Sequence, residues 1–82
     1  MSLQEFDAVI DRMQLAFEYA LNLGQSIEAA KVLYQMNEQL PEDMQLDLEE
    51  LENESAVKQF ISEFKPLIKS AIAEYRHRLM NY

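Results

Sequence analysis

Residues 55–79 read SAVKQFISEFKPLIKSAIAEYRHRL, and this stretch decides the fold of the chain. Its apolar residues follow one another at intervals of one, three or four positions, the spacing of a single helical face. They are Val57, Phe60, Ile61, Phe64, Ile68, Ala71, Ile72, Tyr75 and Leu79. Twenty-five residues at about 1.5 Å each predict a helix of roughly 37 Å. Ser55 is its predicted N-cap, with Asn53 as the alternative.

A proline at position 66 lies inside this predicted helix. At about 100° per residue it falls opposite Tyr75, and the apolar spacing continues across it without a shift. Proline removes one backbone donor, and on the outer face it bends a helix around its core. The alternative is a second helix beginning at Pro66, for which Lys65 would be a poor N-cap. We therefore predict one long, kinked C-terminal helix.

Two helices are predicted before it. The first begins at Ser2, with Glu5 completing a capping box, and ends at Gly24. Its core-facing stripe is Phe6, Ile10, Met13, Phe17 and Ala20. Ser26 is the predicted N-cap of the second helix, which runs to about Gln39. Because two residues separate the helices, they should form an antiparallel hairpin.

Composition supports one all-α domain over residues 1–82, a small bundle of three to four helices. One glycine and two prolines leave little turn chemistry for a β-rich fold. The chain has no cysteine, which excludes disulfides and thiol catalysis and is typical of a cytoplasmic protein. No apolar run approaches about 18 residues, so we expect no membrane span and no membrane partner.

The net charge of −8 is concentrated in residues 41–54, which read PEDMQLDLEELENE and contain no base. We call their carboxylates the acidic patch: Glu42, Asp43, Asp47, Glu49, Glu50, Glu52 and Glu54. The segment is predicted as a short helix with Met44, Leu48 and Leu51 on one face. The alternation of Met44, Leu46 and Leu48 also permits an extended segment.

Four bases fall within about 40° on one flank of the long helix. This basic ridge consists of Lys58, Lys65, Lys69 and Arg76. We expect it to face the acidic patch of the same chain. No aromatic residues interleave it and the chain is acidic overall, so direct binding of nucleic acid is not expected.

Two groups of apolar residues form a candidate interface. Leu15 and Tyr19 lie on the first helix, away from its core-facing stripe, where scattered surface residues are the alternative explanation. Leu33 and Met36 lie on the second helix, which is apolar around more than half its circumference. We predict a protein partner and a homodimer; the alternative is a monomer in which the rest of the chain covers the second helix.

No set of residues predicts catalysis, a metal site or a cofactor. Glu74 and His77 have the spacing of bundle metal ligands, but Tyr75 takes the core direction between them. The window from Asp43 to Glu54 has oxygen donors at calcium-loop spacing, yet Leu48 stands where the loop needs glycine. We therefore expect a non-enzyme.

Three hypotheses of function follow. The first is a protein–protein interaction or regulatory adaptor module acting through helical surfaces. The second is an acidic nucleic-acid mimic, whose carboxylates inhibit a basic binding protein by occupying its groove. The third is a carrier of a small ligand.

Overall fold

Three helices and one 3-10 turn follow one another in the computed structural model, which describes residues 2–48 and 53–81. Helix α1 spans Leu3–Asn22, α2 spans Ser26–Glu38, the 3-10 turn spans Glu42–Met44, and α3 spans Glu54–Met80. Within the described ranges there is no strand. Helices α1 and α2 pack as a hairpin and α3 packs against them, which confirms the predicted all-α class and architecture.

The start of α1 is capped as its sequence predicts. Ser2 has an extended backbone, and its Oγ accepts a hydrogen bond from the backbone N–H of Glu5 at 3.2 Å. The same hydroxyl donates to Glu5 Oε1, also at 3.2 Å. These bonds satisfy a backbone donor that the first turn of a helix leaves without a partner.

The turn from α1 to α2 depends on Gly24. Its φ of 73° is a left-handed conformation that only glycine adopts without strain. The N–H of Gly24 donates to Leu21 O at 3.0 Å, and that of Gln25 donates to Ala20 O at 2.8 Å. This is the Schellman pattern of helix ends. Gln25 is also the N-cap of α2, so the prediction of Ser26 as the cap was wrong by one residue.

Helix α3 runs unbroken through Pro66, so the alternative of a second helix starting there was wrong. Pro66 is exposed, as its predicted angle requires. The predicted N-cap at Ser55 was also wrong. Asn53 caps the helix by accepting from the N–H of Ala56 at 2.9 Å, while Ser55 Oγ donates to the same Asn53 oxygen at 2.8 Å. The bend at Pro66 stays a prediction.

The crossover between α2 and α3 is not helical as predicted in its described part, residues 41–48, apart from the 3-10 turn. After the 3-10 turn, Gln45 has an extended backbone, and residues 45–48 have no regular structure. Met44, Leu46 and Leu48 are partly buried against the core, while Gln45 and Asp47 are exposed. The described part of the crossover thus follows the alternating pattern: Met44 reaches the core from the end of the 3-10 turn, and Leu46 and Leu48 reach it after the extended Gln45. Leu51 lies outside the described residues.

The core is organised around α2, which packs against both α1 and α3. Helices α1 and α3 contact each other much less, so a groove remains between them. The largest side chains that are almost completely buried come one from each helix: Phe6, Leu33 and Ile68. Aromatic pairs join α3 to the other two helices. Tyr34 of α2 is stacked on Phe60 with 5.1 Å between ring centres, and Phe6 of α1 is edge-on to Tyr75 at 4.9 Å.

Candidate functional site

An apolar row lies on the outer surface of α1. Leu15, Tyr19 and Leu23 are 67%, 68% and 53% exposed, and their four-residue spacing places them along one ridge of the helix. We call these three residues the outer stripe. Ile27, four positions further on at the start of α2, is 48% exposed. No part of the chain that the structure describes covers the row, although burial of each such side chain would contribute about 1.5–3 kcal/mol.

The sequence identified only part of this row. Leu15 and Tyr19 were predicted as interface residues, and both are exposed. Leu23 continues the same spacing, and that signal could have found it. Ile27 was missed because α2 is apolar around more than half its circumference. The sequence pattern therefore did not separate its exposed apolar residues from its buried ones.

Leu33 and Met36 cannot form an exposed interface, and their assignment to one was wrong. They are 2% and 4% exposed, because α2 lies against both other helices and its apolar circumference is covered from two sides. Both therefore belong to the core of the single chain.

A groove with a cavity of about 430 Å³ lies between α1 and α3. Its lining comes from three helices: Asp7, Ile10, Asp11 and Gln14 on α1, Met36 on α2, and Lys69, Ile72, Ala73 and Arg76 on α3. Ile10, Met36 and Ile72 are buried, so the floor is apolar. The side belonging to α1 carries carboxylates, and the side belonging to α3 carries cations.

One ion pair crosses this groove. Arg76 donates two hydrogen bonds to Asp7, from Nε to Oδ1 at 2.6 Å and from Nη2 to Oδ2 at 3.0 Å. The hydrogen bond from Arg76 lowers the pKa of the Asp7 carboxyl, and the opposite charge adds to this effect. The hydrogen bond to Asp7 likewise raises the pKa of Arg76. The geometry is the two-bond arrangement that makes arginine–carboxylate pairs specific.

The basic ridge faces α1 where the structure gives its contacts, and not the acidic patch as predicted. Arg76 pairs with Asp7, and Lys65 Nζ lies 5.2 Å from the ring centre of Phe17. Lys69 lines the groove. Lys58 is exposed. Sequence alone could not show this, because Asp7 and Arg76 are 69 positions apart.

The acidic patch is described only in part, since Glu49, Glu50 and Glu52 lie outside the described residues. Of the others, Asp43 accepts a hydrogen bond from Arg78 at 3.3 Å. The remaining carboxylates are exposed: Glu42, Asp47 and Glu54. In the described part of the patch, the contacting cation is therefore Arg78, a residue outside the predicted ridge.

His77 and Glu74 are both exposed, and Glu74 Oε1 lies 4.0 Å from Nη2 of Arg78. Within residues 2–48 and 53–81, no three histidine or acidic side chains are grouped closely enough to hold a metal ion. No helix in that part of the chain is long and apolar enough to cross a membrane.

No match was found for this chain among protein-family models, curated proteins or solved structures.

Proposed function

We propose that this chain is a non-enzymatic interaction module that binds another protein through a helical surface and also associates with itself as a homodimer. The outer stripe is the observation that supports the proposal most strongly. Its three large apolar side chains are more than half exposed and lie in one row, rather than scattered over the surface.

The neighbourhood of the stripe indicates the kind of partner. Asp11 and Glu18 lie beside Leu15 around one surface concavity, so the apolar row has an acidic border. An amphipathic helix with an apolar face and basic flanking residues would match both features. The cysteine-free composition fits a reducing compartment, and we propose the cytoplasm as its location.

Affinity capture from a lysate of the source cell, at low and at high salt, tests this function. The change is Tyr19→Glu in the tagged chain, which places a charge in the middle of the stripe. We expect it to remove the captured partner, because desolvating an unpaired carboxylate is costly. Leu67→Glu is the matched control, since Leu67 is also exposed (50%) but lies on α3. Equal capture by both variants would contradict the proposal.

The acidic mimic remains a second candidate because Glu42, Asp47 and Glu54 present exposed carboxylates. Its partner would be a basic protein released as salt rises, since the Debye length falls from about 10 Å at 0.1 M to about 3 Å at 1 M. A partner held by the outer stripe would instead survive high salt. A small-ligand carrier, with the open groove as its site, would be favoured by a ligand that co-purifies with the protein.

A further inference from the structure

We infer that the groove between α1 and α3 is the surface on which a second copy of this chain docks. The inference rests on the proposed self-association, and it assigns that association a surface and an orientation. The two surfaces share Leu15, but Tyr19 and Leu23 of the outer stripe do not line the groove or the concavities beside it, so binding of a different protein through those two residues is tested separately.

The groove has two edges of opposite charge. On α1 the acidic edge consists of Asp7, Asp11 and Glu18. On α3 the basic edge consists of Lys65, Lys69 and Arg76. A surface with one acidic and one basic edge is complementary to a rotated copy of itself.

Most of these charges are not paired inside one chain. The ion pair between Asp7 and Arg76 occupies one end of the groove. At the other end Lys65 lies over the ring of Phe17. Asp11, Glu18 and Lys69 make no ion pair with any residue that the structure describes. They therefore retain charges that a partner can neutralise.

The two helices run antiparallel along the groove in matched register. Arg76 is beside Asp7, and Lys65 is beside Phe17. The distance along α1 between these two points is about 15 Å, and along α3 about 16.5 Å, at 1.5 Å per residue. Each level of the acidic edge thus has a counterpart at the same level of the basic edge.

Only one two-fold arrangement of facing grooves makes the charges complementary. Rotation about an axis across the groove would place α1 on α1, with carboxylates against carboxylates. Rotation about an axis along the groove places each α1 over α3 of the other copy. It leaves the position of every residue along the groove unchanged. Glu18 then faces Lys65 of the second copy, and Asp11 faces its Lys69. The result is a bundle of four helices, two from each copy, in which neighbouring helices are antiparallel.

The charged edges set orientation, while apolar groups beside them contribute the affinity. Leu15 lies next to the acidic edge, and Ala73, which is exposed, lines the groove from α3. In the proposed arrangement Leu15 packs on α3 of the second copy between the levels of Lys65 and Lys69. Further along the groove, between the levels of Lys69 and Arg76, the small Ala73 side chain permits close approach of the helices. The aliphatic stems of the lysines cover further apolar surface.

Charge exchange followed by light scattering tests the surface. We expect D11K/E18K and K65E/K69E each to weaken self-association about ten-fold or more, because like charges then face one another. The chain carrying all four substitutions keeps the net charge of −8 and regains complementary edges, so it should associate like the wild type. A wild-type monomer, or a dimer that neither pair of substitutions weakens, would overturn the inference.

Cross-linking tests the orientation and stays informative if a charge-exchange variant unfolds. The chain contains no cysteine, so E18C and K65C each carry a single thiol. With a short bismaleimide, we expect a mixture of the two variants to form covalent dimers faster than either variant alone. Equal linking of E18C to itself would overturn the orientation, and no linking in the mixture would overturn the surface. If capture through the outer stripe persists in either case, only this inference has failed.

Discussion

Asn37 is a buried polar residue, 7% exposed, and its hydrogen bonds explain why the core tolerates it. Its Nδ2 donates to Leu46 O at 3.0 Å, and its Oδ1 accepts from the N–H of Leu46 at 2.9 Å. The amide side chain thus pairs with both backbone polar groups of Leu46, as a neighbouring strand would. These bonds hold the crossover against α2.

Asn37→Ala is expected to destabilise the fold by about 2–4 kcal/mol, because it leaves both polar groups of the Leu46 backbone without their protein partner. Urea denaturation measures the change. Asn22→Ala, at the exposed end of α1, is the control and should stay within about 0.5 kcal/mol of the wild type. Equal stabilities for the two variants would show that the crossover is held by its apolar side chains alone.

The ion pair between Asp7 and Arg76 makes a pH-dependent contribution to stability. The pKa of Asp7 is lowered in the folded chain, so its contribution is present above the unfolded value of about 3.9 and is lost as pH falls through the folded pKa.

Asp7→Asn should therefore have a lower thermal midpoint than the wild type at neutral pH. The difference should shrink in acid, because the wild type then loses the ion pair. The effect should be small, since both side chains are partly exposed. Thermal melts between pH 2 and 7 measure it, and Arg76→Gln in the Asp7→Asn background should add little if the two groups act as a pair. A gap between Asp7→Asn and wild type that is constant with pH would contradict this.

At the scale of elements, apolar periodicity predicted the helices well and the crossover poorly. α1 and α3 each bury one continuous stripe, so their spacing alone indicates where they pack. The segment 41–48 is too short for periodicity to decide between a helix and an extended chain. Its conformation depends on Asn37, nine positions before Leu46, and on space beside α2 and α3. Neither can be read from a local pattern.

Pro66→Ala tests whether the proline in α3 costs stability. Alanine restores the N–H that can donate to the carbonyl of Ser62, and proline in a helix interior costs about 3 kcal/mol. We expect equal or higher helicity and a higher thermal midpoint, both measured by circular dichroism. Leu67→Ala, next along the helix and half exposed, is the control. A less stable Pro66→Ala variant would mean that a bend at Pro66 is needed to fit α3 onto the core.

The whole molecule is elongated. Its principal extents are 41 × 24 × 15 Å, and its radius of gyration of 13.0 Å exceeds the value of about 11.7 Å expected for 82 residues. The shape follows from the 27-residue α3, which is longer than either helix of the hairpin. An elongated layer of three helices leaves broad faces open to another chain.

The exposure of a candidate surface residue could be predicted from the sequence only where it depends on the position of that residue around its own helix. Leu15 and Tyr19 were identified because their angle on α1 points away from its stripe. The burial of Leu33 and Met36 depends on two other helices packing on α2, and the contacts of the basic ridge depend on how α3 lies across α1. Such relations join residues far apart in sequence, and spacing along one helix does not contain them.

The measurement that tests self-association most directly is the mass of the chain in solution, determined by light scattering on a sizing column over a micromolar dilution series. We expect a mass of two chains that falls towards one chain on dilution, because two open helical faces are covered in the dimer. A mass of 9.6 kDa, that of one chain, at every concentration would contradict this.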